Sequence, residues 1–188
     1  LFDNLSDAGS LIKITRIVIN SLAQQEVDEY ENNVIFYSLY GHIYIMAEAA
    51  AAGAREVMGQ SRTFPGTETF NEELLKKWGQ LRQKNRLLIS TVATVDKLAE
   101  AGGMIFGVLT CFGMVLSQIQ AVIDRTGGLC SKGGLVNKGV AYSRLQQPAR
   151  STGINHTGIL YGLFHHGMVI VGIPYTCPGI SVHNDVNG

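Results

Sequence analysis

Charge is in short supply in this chain. Only 16% of its 188 residues are Asp, Glu, Lys or Arg, against roughly 25% in a typical soluble domain. Fifteen basic residues balance fifteen acidic ones, for a formal net charge of +0. No basic field is present to hold nucleic acid or an anionic membrane, so neither is an expected partner. Cysteine is equally sparse: Cys111, Cys130 and Cys177 stand far apart, without a Cys-x-x-Cys pair. That argues against a disulfide scaffold and a zinc site, and for a reducing compartment. Long apolar runs are missing as well. The most apolar stretch, Gly102 to Leu116, is too short to cross a bilayer. Lys13 and Arg16 interrupt the only early apolar run, so no secretory signal is read, and a cytoplasmic protein is expected.

What remains is a chain that is 46% hydrophobic. That excludes intrinsic disorder, which needs low hydrophobicity and high charge. The length suits one domain with a sizeable core, and the low charge points to surface buried in a homo-oligomer.

From Val34 onwards, short apolar runs alternate with helical patterns. Val34-Ile35-Phe36-Tyr37 predicts a strand buried on both faces. Ile43, Met46, Ala47, Ala50, Ala54 and Val57 then recur at helical spacing. Arg62-Thr63-Phe64, stopped by Pro65, predicts a short edge strand. Helical pieces are read at Glu72 to Trp78, Thr94 to Ala101, Leu116 to Ile123 and about Gly153 to Phe164; further strands at Met104 to Val108, Gly139 to Ser143 and Met168 to Ile173. Such alternation implies right-handed β-α-β units, hence a three-layer α/β domain around five parallel strands. Ligands of such sheets bind at the carboxyl ends of strands, so function is expected just after Tyr37, Val108 and Ser143.

The first 32 residues form a separate extension to the domain at 33–188. Ser10 is placed to cap a helix from Leu11 to about Tyr30, with Leu11, Ile14, Val18 and Leu22 on one face. The β-branched run Lys13 to Ile19 reads as a strand nearly as well.

Among the loops, Ser38-Leu39-Tyr40-Gly41-His42-Ile43 suits a phosphate. It offers a hydroxyl, a glycine and a helix N-terminus whose backbone N–H groups favour an anion. It holds no Lys or Arg, which favours a monophosphate over a magnesium-bound triphosphate. On these residues alone, an ordinary strand-to-helix turn is an even competitor. Leu109-Thr110-Cys111-Phe112-Gly113-Met114 is a weaker candidate for lining a flat apolar ligand, since Phe and Met near a strand end are usually core. His165-His166-Gly167, before the last strand, reads as a site or as a capped helix end.

Several of these segments together resemble the WrbA-type NAD(P)H:quinone oxidoreductases. The match runs through Phe36 to Ile43, Met46-Ala47-Glu48, Gly53-Ala54, Glu68 to Leu74, Phe106-Gly107, Thr110, Phe112-Gly113, Gln118 and Asp124. It continues through Thr126-Gly127-Gly128-Leu129 and His165 to Val171, and ends at Tyr175. The resemblance implies a flavodoxin-like doubly wound sheet in the order 2-1-3-4-5 that binds FMN. It implies two-electron hydride transfer from NADH or NADPH through the flavin to a quinone, in dimers or tetramers. By the same resemblance, Ser38, Leu39, Tyr40, Gly41, His42 and Ile43 hold the FMN phosphate, with Tyr40 also on the nicotinamide side. Thr110, Cys111, Phe112 and Gly113 line the isoalloxazine, and His166 is the catalytic histidine that reaches the flavin.

Departures from the family pattern fall in the ring loops. The family's Pro-Thr-Arg-Phe-Gly-Asn reads Leu109-Thr110-Cys111-Phe112-Gly113-Met114 here, without the arginine's fixed cation. Its glycine-rich Ser-Thr-Gly loop falls on Leu145 to Ser151, which has Pro148 and no glycine, and its tryptophan after Gly-Gly-Leu is Cys130. The resemblance also implies a long final helix over one face of the sheet, which this sequence does not carry. Residues 11–30 are the expected substitute, because a bare face of several hundred Å² costs on the order of 10 kcal/mol at ~25 cal/mol/Å². The expected activity is FMN-dependent quinone reduction; the alternative is a flavodoxin-like binding or structural protein that has lost efficient flavin chemistry.

Overall fold

The computed structural model describes residues 31–79, 91–111, 114–145 and 157–172. The expectations for residues 1–30, for Phe112 and Gly113, for the loop at 146–151 and for Tyr175 lie outside the described residues. The elements are β1 (Asn32–Phe36), α1 (His42–Met58), β2 (Ser61–Pro65), α2 (Glu72–Lys77), α3 (Val95–Glu100) and β3 (Gly103–Cys111). They continue with β4 (Met114–Val115), α4 (Ser117–Asp124), α5 (Gly127–Cys130), β5 (Gly139–Leu145), α6 (Thr157–His165) and β6 (Val169–Ile170).

Five strands pair in parallel in the order β2-β1-β3-β5-β6, while β4 folds back antiparallel on the end of β3. With that hairpin strand set aside, the order is the expected 2-1-3-4-5. Asn32 pairs with Ser61 and Gly103, Gly103 with Gly139, and Gly139 with Val169, so the amino ends of all five strands lie level. Pro65, which lacks a donor, is tolerated because β2 is the edge strand.

Alternation along β1 builds two cores. Val34 and Phe36 face α1, where they meet Ile43, Ala47, Ala50, Ala51, Ala54, Ile105 and Ala141. Those alanines recur at helical spacing, and their small side chains let α1 lie close on the sheet. Ile35 and Tyr37 face the other way, towards Phe64, Leu75, Leu98, Phe106, Ile119 and Ile159. The helices on that face are locally well encoded. The Asn71 side chain accepts the Leu74 N–H at 2.8 Å, and acidic Glu72 and Glu73 open α2 while Lys76 and Lys77 close it. Lys138 Nζ reaches back to the Ala101 carbonyl at 2.7 Å, clasping the C-terminal end of α3.

Two details depart from the sequence reading. Leu109 to Met114 was expected to be a loop, but β3 continues through Cys111 and Cys111 pairs with Met114. Position 109 supplies the reason: the Leu109 carbonyl accepts the Leu116 N–H at 3.2 Å, which closes the hairpin. Likewise β5, read as Gly139 to Ser143, continues through Arg144 and Leu145 opposite Val108 and Leu109.

Candidate functional site at the carboxyl end of the sheet

β1 ends at Phe36, and the Tyr37 N–H still reaches the Gly107 carbonyl at 3.2 Å. Beyond that bond the chain turns away from the sheet. Ser38 and Leu39 are buried, Tyr40 is exposed, and Gly41 sits at φ 92°, ψ −20° as the N-cap of α1. A left-handed φ favours glycine, so the turn depends on this residue. The Ser38 hydroxyl oxygen accepts the Gly41 N–H at 3.1 Å, leaving its own proton to donate elsewhere. The first intrahelical bond runs from the Ile45 N–H to the Gly41 carbonyl at 3.2 Å. The N–H groups of His42 and Ile43 precede it and have no backbone acceptor among the described residues. No acidic side chain lies in the first turn of α1 to compete for them. A buried hydroxyl, two helix-start amides and a positive dipole end form a donor set for an anion.

Gly107 carries this arrangement from below. A Cβ there would stand 3.0 Å from the Phe36 Cβ and 3.1 Å from the Ile43 Cγ2. The first turn of α1 therefore lies directly over a strand position that has no side chain. Within a strand, an isolated glycine is the available sequence signal for such a close approach.

The structure brings Ser38 to Ile43 and the backbone of Thr110 and Cys111 to the same end of the sheet, at the termini of adjacent strands β1 and β3. His166 is not with them. It precedes β6, whose Val169 pairs with Gly139 at the start of β5, and the Gly167 carbonyl accepts the Asn137 N–H at 2.9 Å. His166 thus lies at the amino end of the sheet, and the length of β1 alone, roughly 16 Å at ~3.3 Å per residue, separates the two levels. Within one chain it does not reach the loop from Ser38 to Ile43. Each crossover helix returns the chain to the amino end, so a residue just before a strand must lie there.

At that end the His166 Nε2 lies 2.7 Å from the Thr126 hydroxyl. Thr126 donates its single proton to the Ile123 carbonyl, so it accepts from His166 and the ring proton sits on Nε2. Nδ1 is buried without a partner among the described residues. Burial, then the neighbouring His165, pushes the imidazole below its ordinary value of 6.5. Cys130 lies close by, its Sγ 3.6 Å from the His165 carbonyl.

This geometry carries a pH prediction. Unfolded His166 takes up a proton near pH 6.5, whereas the folded ring resists it, so its contribution to stability is present above 6.5 and is lost as pH falls. Urea midpoints measured between pH 7.5 and 5 are expected to decline for the native protein and to decline less for His166→Gln. Equal slopes in the two proteins would refute the assignment.

No helix among the described residues is long and apolar enough to cross a membrane. No metal-binding group of His, Cys, Asp and Glu occurs among them.

No protein-family profile matches the chain. Individual relatives do. An NAD(P)H dehydrogenase (quinone) of Geotalea daltonii is 40% identical over 163 residues, covering 82% of this chain and 77% of the relative. One from Geobacter metallireducens, of the same name, is 43% identical over 161 residues, covering 81% and 76%. A flavodoxin, WrbA-like protein from Agrobacterium tumefaciens superimposes on 74% of this chain with a TM-score of 0.48 and 20% identity, covering 75% of its own length. The family assignment rests on the sequence relatives. By identity and coverage, and with the parallel β2-β1-β3-β5-β6 sheet beneath its helix-start loop, the chain belongs to the WrbA-type NAD(P)H dehydrogenase (quinone) family.

Proposed function

We propose that this protein is an FMN-dependent NAD(P)H:quinone oxidoreductase whose cofactor phosphate sits on the loop from Ser38 to Ile43. The observation that carries the proposal is the donor set there: a buried serine hydroxyl with its proton free, the His42 and Ile43 amides, and the positive end of α1. This chemistry suits a phosphate monoester, and its lack of Lys or Arg suits one that needs no metal.

When bound, FMN accepts a hydride from NADH or NADPH and passes two electrons to a quinone. The protein binds and orients. Ser38 donates to a phosphate oxygen while the Gly41 N–H holds the hydroxyl in place. Leu39, buried in the core with Ile35 and Tyr37, anchors the loop. Tyr40, exposed in this loop, would take the nicotinamide side. The Thr110–Cys111 backbone, held by its pairing with β4, would line the isoalloxazine.

His166 enters this scheme only from another copy of the chain. It lies at the amino end of its own sheet, so it faces a flavin at the carboxyl end only where two copies meet. That favours a homo-oligomer, dimer or tetramer, as the working form.

The discriminating measurement compares FMN with riboflavin on the apoprotein. Two charge-assisted hydrogen bonds lost with the phosphate correspond to at least about a hundredfold in Kd. FMN is expected to bind tightly and riboflavin weakly, and the FMN-loaded protein is expected to oxidise NADH when a quinone is added. Equal affinities would remove the phosphate from the loop.

A further inference from the structure

The sheet does not by itself fix how the two flavin loops stand relative to each other. The last bond between β1 and β3 at this end is Tyr37 N–H to the Gly107 carbonyl, and both loops leave the sheet above it. One segment crosses that level and bonds to both sides: Gly66 to Phe70, directly after β2. It starts with the Gly66 N–H on the Phe36 carbonyl at 2.7 Å. Glu68 Oε2 then accepts the Tyr37 hydroxyl at 2.9 Å, while its Oε1 accepts the Phe70 N–H at 2.8 Å. The Thr69 hydroxyl accepts from Gln118 Nε2 at 2.7 Å, and Arg125 Nη1 donates to the Thr67 hydroxyl at 3.1 Å. Gln118 is fully buried, and its Oε1 accepts from Ser117 at 3.2 Å. Ser117 and Gln118 open α4, immediately beyond the β3–β4 hairpin.

We propose that Glu68 is a positioning residue for the cofactor: it ties Tyr37, next to the phosphate loop, to a strap whose other end is held by Gln118 behind the ring hairpin. The proposal rests on the flavin reading given above.

The chemistry requires a carboxylate. Two donors converge on Glu68, one on each oxygen, and a glutamine offers one acceptor oxygen for the two. The phenol does not ionise, because burial, then the bond to Glu68, raises the Tyr37 pKa well above its ordinary value of 10.0. It stays protonated and donates.

The test uses Glu68→Ala, Glu68→Gln and Tyr37→Phe in the full chain, with two readouts. FMN affinity by fluorescence quenching is expected to fall about tenfold in Glu68→Ala, the equivalent of one charge-assisted hydrogen bond. Glu68→Gln should lie between it and the native protein. Tyr37→Phe should weaken binding too, and adding it to Glu68→Ala should cost little more. Amide exchange in the apoprotein supplies the second readout. Gly41 and Leu116, whose N–H bonds close the two loops, should exchange faster in Glu68→Ala, while Ile35 and Ile105 in the core strands keep their native rates. An FMN affinity within twofold of native, or acceleration shared equally by the core strands, would overturn the proposal. If Glu68→Ala does not fold, Glu68→Gln and Tyr37→Phe decide by the same criteria. A native protein that binds no FMN would overturn the cofactor reading instead, and the exchange pattern would still decide whether the strap orders both loops.

Discussion

Gly41→Val is expected to give a folded but colourless protein. The native residue sits at φ 92°, where a β-branched side chain is a genuine outlier. Holding valine there costs of the order of 1–3 kcal/mol, and the chain can relieve that strain only by reopening the turn. The reopened turn moves the Gly41 N–H off the Ser38 hydroxyl and tilts the first amides of α1 away from a common point. Because the loop has no lysine or arginine to hold the anion meanwhile, loss of the geometry is loss of the site. Flavin released on denaturing the purified protein should fall below a tenth of the native amount, roughly the effect of one charge-assisted hydrogen bond or more. Native flavin content in Gly41→Val would dismiss this loop as the phosphate site. Far-UV circular dichroism should change little, since Ala47, Ala50, Ala51 and Ala54, further along α1, keep their packing on the sheet.

Gly107→Val attacks the same loop from beneath, and with a different signature. Even a single added carbon lies 3.0 Å from the Phe36 Cβ and 3.1 Å from the Ile43 Cγ2. Phe36 is a central-strand residue with no exposed surface, so it has little room to give. Ile43, in the first turn of α1, is the neighbour able to shift. Overpacking of this kind costs about 1–3 kcal/mol, and a fall in Tm of several degrees is expected by calorimetry. FMN affinity should fall in parallel, because the displaced turn carries the His42 and Ile43 amides. Ile43→Ala, which removes the clashing methyl, should restore part of the FMN affinity in the Gly107→Val background although it is destabilising alone. Strict additivity of the two substitutions would show that the helix start and the strand glycine are not coupled.

Much of this protein is legible along the chain, and the legible parts share one property: they are made by neighbours in sequence. The apolar run at Val34 to Tyr37, the alanine periodicity of α1, the Asn71 cap and the proline that stops the edge strand each act over a few residues. So does the proposed phosphate loop, where strand end, serine, glycine and helix start are contiguous from Tyr37 to Ile43. The hairpin of β3 and β4 escaped because β4 has only two residues, and its closing bond from Leu116 to Leu109 joins groups that no periodicity marks.

His166 is the instructive case. By resemblance it reaches the flavin, yet the handed crossover rule, applied to a residue just before a strand, places it at the far end of the sheet from Ser38 to Ile43. The strand order depends on which apolar faces pair, and so does the level alignment of Asn32, Gly103, Gly139 and Val169. The composition and local patterns of this chain by themselves determined an α/β domain with parallel strands and a glycine-containing turn at the start of the first helix, because period, caps and turns are short-range chemistry. Only the tertiary structure decided that Gly107 makes room for Ile43, and that Glu68 joins Tyr37 to a strap reaching Gln118. Those contacts link residues far apart in sequence, and their energies exist only once the sheet has brought the partners within a few ångströms.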